Sequence, residues 1–239
     1  MGDVLYRIIA GGLQSFIWGG ELQGEENLPE RGPAILVANH LGSLGPIAVV
    51  ASTPLRLYPW VAADMMDPKL AAEYLRWDFV EKDLGLPQPI SLWVAKALSK
   101  VTVPLLRIAG GIPVYSDADR VHLTFEHSLN LLLHDRLLLV FPEDPARALD
   151  PRFNMRPFKK GFIRLVDMYF QKTSRALSFY PLAVHAEQNV VQAGKPIRYN
   201  PYASPVRERL RIRSVIETMI HNLYLDLGGS SFAGVPLPH

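Results

Sequence analysis

The chain contains no cysteine. Disulfides, thiolate metal sites and cysteine nucleophiles are therefore excluded, a usage that fits a reducing compartment and makes cytoplasmic the default location. A strong charge of either sign is also missing: 25 Lys and Arg stand against 23 Asp and Glu, a formal charge of +2. That balance, with no aromatic-basic motif of an RNA- or DNA-reading module, argues against a nucleic-acid partner. Neither G-x-x-x-x-G-K-[ST] nor G-x-G-x-x-G occurs, so no nucleotide-phosphate loop is expected. Apart from His40, the histidines, at 122, 127, 134, 185, 221 and 239, form no H-E-x-x-H and have no cysteine neighbours, so neither a metal nor a bound cofactor is expected.

Long apolar runs are scarce too. A bilayer span asks for about 20 mostly apolar residues. The N-terminal stretch, residues 1–20, is interrupted by Arg7, Gly11, Gly12 and Gln14, and it has neither a basic leading region nor a small-residue cleavage site. It reads as an amphipathic helix in which Val4, Leu5, Ile8, Ile9, Leu13, Phe16 and Ile17 gather towards one side. Such a stripe packs on the protein's own core or lies on a membrane surface, and packing on the core is the more frequent fate.

What the chain has is a large apolar fraction, 49% of 239 residues, enough for a substantial core. Short apolar runs recur at 34–39, 57–63, 111–116, 136–143, 177–186 and 189–194 and predict strands. Helical patterns lie between them near 44–53, 66–78, 89–109, 117–134, 157–173 and 204–227. With no linker-like break, this alternation predicts a single α/β domain over 21–239, preceded by the helix of 1–20, with a largely parallel sheet flanked by helices. Active sites in such sheets lie beyond the carboxyl ends of strands. Two polar clusters fall there: Asn39 and His40 after "AILVA", and Pro142, Glu143 and Asp144 after "RLLLVF". They share a pocket only if their strands are neighbours.

His40 is the candidate base, since a neutral imidazole can accept a proton from a hydroxyl near neutral pH. A satisfied core histidine fits its position equally well. The segment "LGSLG" (41–45) nearly matches the G-x-S-x-G nucleophile elbow but fails at Leu41, which leaves Ser43 as a helix cap or turn residue. The stretch 146–164 carries Arg147, Arg152, Arg156, Lys159, Lys160 and Arg164. These cations can hold a phosphate or the diphosphate of a coenzyme, or form an ordinary solvated face.

Taken in order, "GEENLPERGPAILVANH" (24–40), "GGIPVY" (110–115), "FPED" (141–144), "PFKKGFIRL" (157–165), "YPLAV" (180–184) and "AGKPI" (193–197) resemble the phospholipid/glycerol acyltransferase superfamily, which includes the lysophosphatidate acyltransferases. The resemblance covers most of the chain. It implies a glycerol-3-phosphate acyltransferase-like fold and transfer of a fatty acyl group from acyl-CoA or acyl carrier protein to a lipid hydroxyl at a membrane surface. The donor is then a substrate, and the protein is peripheral on the inner face of the membrane. By the same resemblance His40 is the general base, Glu143 and the segment Pro157–Gly161 help build the acceptor pocket, and Asn39 matches the asparagine before the histidine. Ser43, Asp144, Arg147, Lys159, Lys160 and Gly161 complete the expected substrate-binding set.

Three departures accompany these matches. The family pattern is H-x4-D, and Gly45 stands where its aspartate is expected. An arginine expected two residues after Val114 is Ser116, and F-P-E-G-T-R becomes "FPEDPAR", with Arg147 displaced by one residue. Loss of an orienting aspartate in a serine protease lowers turnover about 10⁴-fold, roughly 5 kcal/mol of barrier. The expectation is that Glu143 or Asp144 replaces it, that the acceptor differs from glycerol phosphate or lysophosphatidate, and that Gly45→Asp raises turnover unless the backbone requires glycine. A non-catalytic acyl-CoA- or lipid-binding protein of the same fold is the alternative.

Overall fold

The computed structural model describes residues 2–82 and 84–228. The chain opens with helix α1 (Gly2–Leu13), which continues into a π-helical turn (Gln14–Trp18). Strands β1 (Glu21–Gln23) and β2 (Ala34–Ala38) follow, then α2 (Leu44–Ser52) and β3 (Leu57–Ala62). Short helices α3 (Ala63–Met66) and α4 (Ala71–Leu75) lead through a second π-helical turn (Arg76–Glu81) to the long α5 (Ile90–Ile108). The remaining strands and α-helices are β4 (Ile112–Val114), α6 (Val121–Leu133), β5 (Leu137–Val140), α7 (Arg164–Thr173), β6 (Ser178–His185), β7 (Val190–Ala193), β8 (Ile197–Arg198) and α8 (Pro205–Gly228).

The strands form one sheet in the order β1-β7-β6-β2-β5-β3-β4, with β8 added to β6. Every pairing is parallel except β6 with β7 and β6 with β8. All five residues of β2 are buried. Because successive side chains in a strand point to opposite faces, Ile35 and Val37 join one cluster with Leu138, Val140, Phe179 and residues of α6, α7 and α8. Ala34, Leu36 and Ala38 join the other with Leu139, Leu182, Val184, Tyr6, Trp18 and residues of α2. Burial on both faces is why the strands read as unbroken apolar runs.

The N-terminal helix docks by a different stripe from the expected one. Tyr6 and Trp18 are buried, and Ala10 and Leu13 pack beside them. Tyr6 accepts a hydrogen bond from the Leu57 N–H (3.1 Å), and Arg56 lies over its ring at 5.1 Å while pairing with Asp3 at 3.0 Å. Val4, Leu5, Ile8, Phe16 and Ile17 face outward. Core packing of the whole stripe is thus corrected: the Tyr6 hydroxyl ties the helix to Leu57, the Tyr6 and Trp18 rings are buried, and the aliphatic side is left over.

Candidate active site

β2 and β5 are adjacent parallel strands, with Val37 opposite Val140. This neighbour relation brings the two polar clusters to one carboxyl edge. After β5 the chain turns at Phe141 and Pro142, and the segment around Phe158 returns antiparallel to pair with Glu143. Lys159 N–H donates to the Pro142 carbonyl (2.8 Å), and Asp144 N–H to that of Pro157 (2.9 Å). The "FPED" and "PFKKG" segments are therefore one folded unit, although residues 145–156 separate them in the sequence. The predicted helix over 157–173 begins late for the same reason: the backbone at 157–159 is committed to this pairing.

Asn39 is fully buried. Its Nδ2 donates to the Val184 carbonyl (2.9 Å) and its Oδ1 accepts from the Val184 N–H (2.7 Å). The side-chain amide imitates one more residue of strand pairing, so it prolongs the β2–β6 ladder past Ala38. Both ends of the amide are used internally, so Asn39 fixes the strand end.

Glu143 acts similarly on the next residue. Its Oε1 accepts from the backbone N–H of His40 (2.7 Å) and its Oε2 from that of Arg156 (2.8 Å). One carboxylate thus clamps the His40 turn to the returning segment. Burial pushes its pKa up, and the two N–H donors and the nearby Arg156 charge pull it down, with burial dominant. The expectation that Glu143 or Asp144 orients the imidazole is corrected. Glu143 spends its oxygens on backbone N–H groups, while Asp144 pairs with Lys159 (3.4 Å) and accepts from the Ala146 N–H (3.2 Å).

His40 is exposed to solvent, yet protein crowds it on several sides and its ring meets Phe141 edge-on at 5.4 Å. The crowding disfavours the imidazolium and holds its pKa below the usual histidine value; the Asp78 charge opposes this, and Lys82 and Arg156 add to it. The ring is therefore neutral at neutral pH and accessible, which is the state a general base needs.

Two left-handed residues follow, Leu41 (φ 42°) and Gly42 (φ 62°). A bulky side chain at positive φ is strained, of order 1–3 kcal/mol, and such strain collects at functional turns. Ser43 sits at the N-cap of α2 but makes no side-chain capping bond. Gly45 is buried in the first turn of that helix, where its N–H donates to the His40 carbonyl (3.1 Å). A Cβ there would stand 2.0 Å from that carbonyl oxygen and 2.9 Å from the Asn39 oxygen. Close approach of backbone, not an unusual φ, is what demands glycine.

Arg147, Lys159, Lys160 and Gly161 are exposed around the returning segment. None of them is among the charges acting on His40, which are Asp78, Lys82 and Arg156. Arg156 was legible only as one cation of a basic run. Asp78 and Lys82 carried no motif signal; their relevance comes from the strand order. A concavity of about 390 Å³ lined by Phe170, Ser174, Arg198 and Tyr202 lies at the opposite, amino-terminal edge of the sheet.

No family model matches the chain, and no curated protein matches it by sequence. A solved structure does match: 1-acyl-sn-glycerophosphate (LPA) acyltransferase, PlsC, from Thermotoga maritima. The two chains are 14% identical, with a TM-score of 0.57 over 95% of this chain and 81% of the other. At that identity the likeness establishes the fold: a single α/β domain with a mostly parallel sheet, arranged as in an LPA acyltransferase.

Proposed function

We propose that the chain is an acyltransferase that moves a fatty acyl group from acyl-CoA or acyl carrier protein to the hydroxyl of a lipid alcohol, with His40 as general base. The observation that carries this reading is a neutral, solvent-open imidazole at the carboxyl edge, its backbone pinned by Glu143. His40 takes the acceptor O–H proton as the oxygen attacks the thioester carbonyl. The tetrahedral oxyanion then collapses, the C–S bond breaks, and the imidazolium returns the proton to the departing thiolate. Base, proton and leaving group balance with no further reactant.

Lys82 and Arg156 stand with Asp78 among the charges acting on His40, and the two cations suit a substrate carrying phosphate. Arg156 also has a buried Nε with no hydrogen-bond partner. Ser43, Asp144, Arg147, Lys159, Lys160 and Gly161 form the outer rim in this reading. Among the described residues no helix is long and apolar enough to cross a membrane. Peripheral contact with lipid is supported by the outward face of α1 and the π-helical turn after it, where Val4 and Ile8 are 65% and Phe16 89% exposed, and by Trp93 at 76% on the adjoining α5.

The test is release of free CoA from a panel of acyl-CoAs. Acceptor-dependent release that His40→Ala abolishes supports the reading. Equal background in both proteins, with acyl-CoA still bound, means a non-catalytic binding protein, and release without acceptor means a hydrolase. Ile8→Ser with Phe16→Ser should weaken sedimentation with anionic vesicles; unchanged sedimentation refutes the lipid contact.

A further inference from the structure

A run of hydrogen bonds leads from α8 to the His40 turn. The segment returning past Arg156 pairs with the chain after β5 by two bonds, Lys159 N–H to the Pro142 carbonyl and Asp144 N–H to the Pro157 carbonyl. These bonds flank the facing pair Glu143 and Phe158, so that pair exchanges none and the Phe158 N–H points away from β5. Phe158 is buried, and a buried N–H needs a partner. Instead of a further strand it meets α8: the Glu217 Oε1 accepts from it at 2.7 Å. The second oxygen of Glu217 accepts from Arg213 Nη2 at 2.9 Å, one turn back on the same helix.

One turn further along α8 lies a second grip on the same stretch. The His221 ring stacks on Phe153, with centroids 4.0 Å apart and planes 4° from parallel, and meets the Phe158 ring at 6.5 Å. The two carboxylates then divide alternate residues of the segment between them. Glu143 takes the Arg156 N–H and Glu217 the Phe158 N–H, while the other Glu143 oxygen takes the N–H of His40.

Resting on the reading of His40 as base and of Pro157–Gly161 as part of the acceptor pocket, we infer that Glu217 is a positioning residue for that pocket. It stands in for a neighbouring strand, fixes the segment against α8, and through Glu143 steadies the backbone of the His40 turn. The side chain acts by the length of its reach, not by its charge. Glu217→Asp keeps the carboxylate near Arg213 but, one methylene shorter, falls short of the Phe158 N–H. Glu217→Gln keeps an oxygen that can accept from it.

The experiment is amide hydrogen exchange, followed by NMR on the ¹⁵N-labelled full chain. In Glu217→Ala and Glu217→Asp the Arg156 and His40 amides, which bond to Glu143 and not to Glu217, should exchange ~10-fold faster, the weight of one such hydrogen bond. That factor should exceed the one for the amides of β2 and β5, and Glu217→Gln should restore most of the protection. The acceptor KM should rise ~10-fold in the same two variants and return towards wild type in Glu217→Gln. A protein that is merely less stable loses active molecules, which lowers kcat and leaves KM. Unaltered exchange at Arg156 and His40, or an equal acceleration of all these amides, overturns the inference. Should Glu217→Ala fail to fold, Glu217→Asp against Glu217→Gln decides it. Because exchange needs no turnover, an inactive wild type removes the acyltransferase reading while the amide rates still decide whether Glu217 holds the His40 turn.

Discussion

Placing the family's aspartate at position 45 should damage the protein rather than improve it. The sequence alone suggests the reverse, since Gly45→Asp restores the H-x4-D pattern. In the structure the new Cβ lies 2.0 Å from the His40 carbonyl oxygen and 2.6 Å from its carbon, whereas real Cβ contacts stay above 3.0 Å. The start of α2 and the His40 turn must therefore part by about 1 Å. That movement breaks the Gly45 N–H to His40 carbonyl bond, worth about 1 kcal/mol, and adds overpacking strain of about 1–3 kcal/mol. A loss of roughly 2–4 kcal/mol already for Gly45→Ala lowers the Tm of a chain this size by roughly 5–15 °C. Gly45→Asp adds a carboxylate beside the His40 and Asn39 carbonyl oxygens, a repulsive placement. Thermal melts and CoA release, run on both variants, check this. A Gly45→Ala protein melting within about 2 °C of wild type, or a folded Gly45→Asp protein with higher turnover, refutes the reasoning.

Asn39→Ala leaves the buried N–H and carbonyl of Val184 without partners and should cost about 2–4 kcal/mol in urea unfolding; a cost below about 1 kcal/mol would mean the amide does not prolong the ladder. Glu143→Gln turns an N–H donor towards one of the two backbone N–H groups, so stability should fall by about 1–3 kcal/mol, and turnover should fall with it as the His40 turn loosens. For pH, burial holds the His40 pKa below the usual value of 6.5. The unfolded chain then binds the proton first as pH falls, so this residue's contribution to stability is intact above pH 6.5 and declines below it. The acidic limb of kcat/KM should accordingly lie below pH 6.5 and vanish from the profile of any His40-independent background; a limb above that value contradicts the neutral-base picture.

Much of the fold was legible because both faces of the central strands are buried. The six apolar runs became β2 to β7, and their spacing with periodic stretches gave the helices. β1 escaped notice because Glu21 and Gln23 are polar and exposed and leave no apolar run, and β8 because two residues carry no usable period. The helix expected over 66–78 is split at Asp67 and Pro68 and ends in a π-helical turn; proline cannot continue the helical hydrogen bonds, and the widened turn has no sequence signature. Asn39, His40 and Glu143 stood out by their place at strand ends, yet two of the three turn out to bond backbone.

The sequence by itself determined the alternating architecture, the edge at which the polar clusters would lie, and the absence of cysteine and of a phosphate loop, since these follow from local composition and period. Only the tertiary structure decided that β2, β5 and β3 are neighbours, that Glu143 clamps the His40 backbone, that Gly45 has no space for an aspartate, and that Asp78 stands among the charges around the imidazole. Those facts depend on contacts between residues from five to 103 places apart, and such contacts are fixed by how the strands order and pack, which no local pattern encodes.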